Sequence, residues 1–256
     1  MIDTHCHLVS SQLRPRLQEV LSNAAAAGVD QMITVATGPE DTMAGLDVAK
    51  SHDHIWCTAG IHPHEADEPH DFGPMLTAAA DDRCIAWGEL GLDWYYKTPS
   101  RESQQTLLEE QLAAIERSQI DLPVVLHCRE AVEDLLAVLM ASNLSLERCV
   151  FHCYTGNAET IRHILDAGCH VSFTGVVTFP NAPEVAEAAK LVPLNRLMVE
   201  TDAPYLSPEP VRKMRPNEPC NVVHTAQFLA DLRTTDRDEF IHTVDANAIQ
   251  FFGLGS

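Results

Sequence analysis

His5-Cys6-His7 stands near the start of the chain, and further histidine and acid clusters follow at His62-Pro63-His64, Glu89, His127-Cys128-Arg129, His152-Cys153 and Glu200-Thr201-Asp202. In extended backbone, residues two apart share a face, so His5 and His7 offer two imidazoles to one side while Cys6 points to the other. Cys128 and Cys153, each following a histidine, are expected on the outward face in the same way. A set of imidazoles and carboxylates suits a borderline cation such as Zn2+ or Mn2+, and Mg2+ where water and phosphate complete its shell. Glu89 sits in Gly88-Glu89-Leu90-Gly91, and an acid buried in such a run is costly unless paired or metal-bound. Its two oxygens could bridge two cations. Asp202 could bind a cation and orient or deprotonate a water, with Glu200 on the same face as support. Arg129 suits a bidentate phosphate contact. Each feature also has a plain reading. A lone His-x-His is often coincidence, a lone histidine is often core, Asp93 could simply cap a helix, and Asp202 could simply cap a turn before Pro204. For His62 and His64 a substrate-facing role and a structural turn around Pro63 stand level.

Short β-branched runs alternate with amphipathic stretches along nearly the whole chain. The strand-like runs are Ile2 to His7, Gln31 to Ala36, Ile55 to Gly60, Cys84 to Gly88, Leu122 to His127, Cys149 to His152, His170 to Thr174 and Arg196 to Thr201. Helices are expected over Ser11 to Ala27, Arg101 to Ser118, Glu130 to Ala141, Ala158 to Ala167, Ala182 to Leu191, Asn221 to Leu232 and Asp236 to Phe252. Strand then helix, eight times over, predicts an α/β fold: a (β/α)8 TIM barrel in a single domain spanning residues 1–256. A doubly wound open sheet is the competitor, but no Gly-rich dinucleotide loop is present. Nearly every polar cluster falls at the C-terminal end of a strand, where barrel enzymes build their sites. Ala203 to Pro219, with its five prolines, reads as a long loop after the eighth strand.

With 17 Lys and Arg against 37 Asp and Glu, the formal charge is -20. That balance opposes a protein gripping long duplex nucleic acid through its surface. It leaves room for a site that handles one phosphate at a time beside bound cations. No apolar run reaches the ~20 residues of a membrane helix, and the first residues lack a secretory pattern. Eight cysteines without a Cys-x-x-Cys pair fit reduced thiols. A cytoplasmic protein with no membrane association and no obligate protein partner is expected.

Taken together these blocks resemble the TatD-type deoxyribonucleases, a metal-dependent branch of the amidohydrolase-like barrels. The resemblance runs from Asp3-Thr4-His5-Cys6-His7-Leu8 through Gly60-Ile61-His62-Pro63-His64, Gly88-Glu89-Leu90-Gly91-Leu92-Asp93, His127-Cys128-Arg129 and Phe151-His152-Cys153 to Glu200-Thr201-Asp202-Ala203-Pro204. Gln104, Gln111-Leu112, Asn217-Glu218-Pro219, Asn247-Ala248 and Phe252-Gly253-Leu254 fit as well. It implies metal-dependent hydrolysis of DNA, often at the 3′ ends of single strands. It further implies that His5, His7, Glu89 and Asp202 hold one divalent metal ion and Glu89, His127 and His152 the other. The chain departs from the pattern at Val9, where Asp or Asn is common, at Leu108 in place of Phe, and at Pro216 in place of a basic residue. Those departures bear on substrate preference, since every ligand position is kept.

The expected reaction is in-line attack of an activated water on a phosphodiester of single-stranded DNA or a DNA end. Asp202 and Glu89 would be the catalytic groups, with two divalent metal ions (Mg2+, Mn2+ or Zn2+) as cofactors. Arg129 would steady a phosphate, with His62, His64 and Arg215 around the groove. Two alternatives stand beside this. An amidohydrolase acting on a small amide, lactone or ester would use the same barrel, often with a carboxylated Lys as metal bridge, yet no Lys lies in the expected strands. A metal-binding scaffold for a partner protein is the other, disfavoured by the intact ligand set.

Overall fold

The computed structural model describes residues 1–255. Eight parallel strands form one sheet in sequential order: β1 (Ile2–Cys6), β2 (Gln31–Thr34), β3 (Ile55–Ala59), β4 (Cys84–Asp93), β5 (Val124–Arg129), β6 (Cys149–Phe151), β7 (His170–Phe173) and β8 (Leu197–Val199). Past the end of β8 the chain meets β1: the amide of Asp202 donates to His5 O at 2.9 Å and that of His7 donates to Ala203 O at 2.7 Å. The sheet is a TIM barrel, and this seam lays Asp202 against the paired histidines.

Around it lie α1 (Leu17–Ala26), α2 (Pro39–Ser51), α3 (Gly73–Ala79), α4 (Arg101–Ser118), α5 (Val132–Ala141), α6 (Thr160–Asp166), α7 (Pro183–Leu191), α8 (Val222–Arg233) and α9 (Arg237–Phe252). Two of them, α2 and α3, escape the periodicity reading. The buried face of α2 is Thr42, Gly45, Leu46 and Ala49, too small and too polar to register as an apolar stripe. The short α3 opens on Gly73-Pro74, which reads as a turn. The first helix is also shorter than expected, because Pro15 sits in a 3-10 turn at Arg14–Arg16 before α1 begins.

Outward strand side chains such as Cys6, Cys57, Leu126 and Phe151 pack under the helices in the main core. A separate apolar group holding Ile2, Ile33, Ile85, Val125, Val150 and Met198 joins Ala248, Phe252 and Leu254 at the C-terminal end of the chain. Among the described residues no helix is long and apolar enough to cross a membrane. None of the eight strands contains a lysine.

Candidate metal centre

β4 continues well beyond the expected Gly88, so Glu89 lies inside a ten-residue strand rather than at its end. The β4–β5 register shifts between Trp87 and Leu90, and this irregularity turns the Glu89 side chain among the histidines. Gly88 has φ +134°, and a Cβ there would stand 2.6 Å from Val125 O. Gly91 is tighter still, with φ +152° and a Cβ position 1.9 Å from His127 O. Only glycine admits β5 this close, which is what brings His127 up to Glu89.

The Glu89 carboxylate, 2 % exposed, divides the cluster. Its Oε1 lies 2.6 Å from His152 Nε2 and 2.7 Å from His127 Nδ1, while Oε2 lies 3.5 Å from His5 Nε2. On the Oε2 side, His5 Nε2 is 3.4 Å from His7 Nε2 and 3.7 Å from Asp202 Oδ1, and His7 Nε2 is 3.2 Å from the same Asp202 oxygen. Three potential ligand atoms thus converge on one point. His62 joins the other side, with Nε2 3.1 Å from His127 Nδ1 and 3.6 Å from Glu89 Oε1.

Two of these rings, His7 and His127, are anchored at the far nitrogen, the arrangement that orients a metal-ligating histidine. His7 Nδ1 donates to Val35 O at 3.1 Å, and His127 Nε2 meets Asp93 Oδ2 at 3.0 Å. His152 Nδ1 lies 3.4 Å from Glu200 Oε1, an ion-pair distance without hydrogen-bond alignment. His5 stacks flat on His152 at 3.9 Å between ring centroids, and its buried Nδ1 has no partner. Glu200 is occupied by protein donors: the Cys153 amide at 2.7 Å on Oε1, and Ser172 Oγ at 2.6 Å on Oε2. Cys153 departs from its expected outward face, since the backbone turns left-handed there, with φ 46°, to bring that amide to Glu200.

Electrostatics fit a site built for cations. Burial pushes the Glu89 carboxyl up, but neighbouring His152 and the hydrogen bonds of His127 and His152 outweigh it and hold it well below the usual range. Asp202 behaves likewise, burial being offset chiefly by His7, and ends below its ordinary value. Asp93 is held at about 2, burial being overcome by His127, the Tyr96 amide and His64. Burial lowers His7, His127 and His152, yet facing carboxylates leave all three raised. His62, buried beside His127, is held well below its usual value and stays neutral, as is His5, buried against His152, which is also lowered. Carboxylate oxygens and imidazole nitrogens converging on common points at the floor of a cavity are a donor set that takes divalent cations.

Two segments of this site are held from α4. Gln104 Oε1 accepts from the Asp93 amide at 2.8 Å and its Nε2 donates to Asp93 O at 3.0 Å. Gln111 treats Ile61 in the same way, at 2.8 and 2.9 Å. Asp93 caps no helix, since Ser100 caps α4; it accepts instead from the amides of Tyr95 and Tyr96 in the turn after β4, while its other oxygen orients His127 and His64. On the opposite side Asp3, wholly buried, accepts from the Thr201 amide at 2.8 Å and from Thr201 Oγ1 at 2.6 Å, pinning the segment that carries Asp202.

The cluster floors a cavity of about 750 Å3 whose walls include Thr37, His64, Tyr96, Arg129, Val176 and Tyr205. Seen against the sequence expectations, His5, His7, Glu89, His127, His152 and Asp202 come together, with His62, His64 and Arg129 on the same cavity. Arg215 does not join them: it is exposed, and its Nη1 donates to Ser207 Oγ, Arg212 O and Met214 O in its own loop. Sequence reasoning passed over Asp3, Tyr96 and Tyr205, and gave Asp93 only a capping role. An acid inside an apolar strand was a usable signal for Asp3; nothing local marked the tyrosines.

A family model described as TatD related DNase matches residues 2–253. This chain belongs to the TatD family. The TatD relatives include an uncharacterized metal-dependent hydrolase YcfH from Escherichia coli K12, 35% identical over 99% of this chain and 96% of that protein. A 3'-5' ssDNA/RNA exonuclease TatD from Pantoea ananatis is 36% identical over 99% of this chain and all of that one. Among solved structures, the TatD homologue YJJV from E. coli K12 superposes with a TM-score of 0.91 at 29% identity, covering 100% of this chain and 98% of that one. As a TatD-family protein with this cluster, the chain is a metal-dependent hydrolase.

Proposed function

We propose that the protein is a two-metal phosphodiesterase that shortens single-stranded DNA from its 3′ end. The observation that carries this reading is the Glu89 carboxylate, whose two oxygens face two separate groups of ligands. One divalent cation would be held by His5, His7, Glu89 and Asp202, and a second by Glu89, His127 and His152, with His62 beside the latter. Cations bound there supply positive charge against a phosphoryl oxygen and make water acidic enough to attack near neutral pH.

The remaining work falls to side chains. Asp202 lines the cavity with Oδ1 3.2 Å from His7 Nε2, placed to accept a proton from the attacking water. Arg129 lines the cavity and offers paired donors to a phosphate. His64 and His62 stand along the same wall, and the departing oxygen leaves opposite the water. The absence of lysine from the strands weighs against an amidohydrolase with a carboxylated-lysine bridge. The exonuclease named in Pantoea ananatis supports the choice of substrate.

The test is a 5′-labelled single-stranded oligonucleotide incubated with metal-stripped protein to which Mg2+, Mn2+ or Zn2+ is returned. A ladder shortening one nucleotide at a time from the 3′ end is expected. No shortening, together with turnover of a lactone, amide or carboxyl ester, would move the protein to the small-molecule hydrolases.

A further inference from the structure

The chain has only four tyrosines, and three of them, Tyr95, Tyr96 and Tyr205, are about half exposed (54 %, 49 % and 52 %). All three stand at the mouth of one cavity: Tyr96 and Tyr205 line it, and Tyr95 lies against Arg129, which does. They come from opposite sides of the barrel, Tyr95 and Tyr96 following β4 and Tyr205 following β8. A soluble protein leaves large rings in water at one site when something flat is to cover them.

These rings are fixed in place. The amides of Tyr95 and Tyr96 both donate to Asp93 Oδ1, whose partner oxygen holds His127. The Tyr205 amide donates to Asp202 O at 2.9 Å, and Tyr205 O accepts from the buried Asn217 Nδ2 at 2.6 Å. Arg129 Cζ sits 3.7 Å from the Tyr95 ring centroid and 5.3 Å from that of Tyr96, and the residue is partly buried against them. Tyr96 stands edge-on to His64 at 5.0 Å, and Tyr205 edge-on to His7 at 6.1 Å. Each platform is thus bonded directly to the ionisable cluster.

We propose that Tyr96 and Tyr205 are base-stacking subsites, with Tyr95 backing Arg129, which grip the unpaired bases of a single strand on either side of the scissile phosphate. The inference rests on the nuclease reading. With a net charge of -20, the protein has little general attraction for a polyanion, so the grip must come from contacts that need no phosphate. Stacking on aromatic rings is such a contact, and it tolerates any base. A base inside a duplex already has both faces covered by its stacked neighbours, so the same rings favour an unpaired strand over duplex.

Metal-loaded protein and a short fluorescent phosphorothioate strand, which resists cleavage, give the test by anisotropy. The strand is used with its bases and with abasic residues throughout. The parent should bind the base-bearing strand about ten-fold or more tightly than the abasic one. Tyr96→Ser and Tyr205→Ser should each shrink that ratio, and their combination should bring it near one. Tyr96→Phe and Tyr205→Phe should restore it, since the ring and not the hydroxyl carries the contact. Equal binding of both strands by the parent, no binding of either, or Ser variants that keep the parent's ratio would each overturn the proposal. If the strands bind as described but natural DNA is not cut, the nuclease reading fails and the subsite stands.

Discussion

Asn at position 202 keeps the shape of Asp202 but removes its charge and its ability to take a proton. Asp202→Asn is expected to lower kcat by about 10^2- to 10^4-fold with KM changed far less. Turnover near the parent's under saturating metal would contradict a proton-accepting role. The residue scale is also where the sequence was most legible. Histidines and acids at the ends of apolar strand-like runs are chemically conspicuous, and alternation on a strand gives their direction without any structure. What sequence missed at this scale lies outside that logic. Asp93 is conspicuous by type, but its contact with His127 depends on the β4–β5 register. Arg215 was singled out for its charge, yet its loop folds so that its own carbonyls take the guanidinium.

At the scale of the element, β4 and β5 decide the site. Gly91→Ala places a Cβ onto His127 O and demands a positive φ of a residue that resists it. It should destabilise the fold by at least about 2 kcal/mol and weaken metal binding on the His127 side. Parent-like melting and parent-like metal affinity would show that the strands can part without cost. The period-2 pattern could not reveal this crossing, because the register irregularity after Trp87 breaks the pattern where Glu89 enters the barrel.

A second prediction concerns β7, remote from the cluster. His170 is held below its ordinary 6.5 by burial and by Arg196. The folded form therefore resists a proton that the unfolded chain accepts, so its stability contribution is full above 6.5 and lost as pH falls below it. His170→Phe, which keeps a ring against Phe251, should lose less Tm than the parent between pH 7 and 5. Parallel curves for the two proteins would refute the assignment.

For the whole molecule, the alternation of eight strands with helices was enough to name the barrel, since length, order and the absence of a composition break all agree. Closure was part of that reading; what was not legible is its form, with Asp202 and Ala203 running beside β1 beyond the end of β8. The acidic surface carries its own consequence. A protein making six to ten phosphate contacts loses about 10^3- to 10^5-fold in affinity between 50 and 200 mM salt. With Arg129 as the cavity's sole Arg or Lys among the described residues, KM for single-stranded DNA should move by less than about ten-fold over that range. A steep dependence would mean that a basic surface elsewhere on the molecule takes the strand.

The central claim is that Glu89 joins two cation sites into one hydrolytic centre. The direct measurement is turnover of single-stranded DNA as Mn2+ is titrated into stripped protein, with bound metal counted per chain. The account predicts little turnover at the first equivalent, a plateau at two, and neither in Glu89→Ala. Full turnover at one equivalent, or two cations bound and an active enzyme without Glu89, would contradict it.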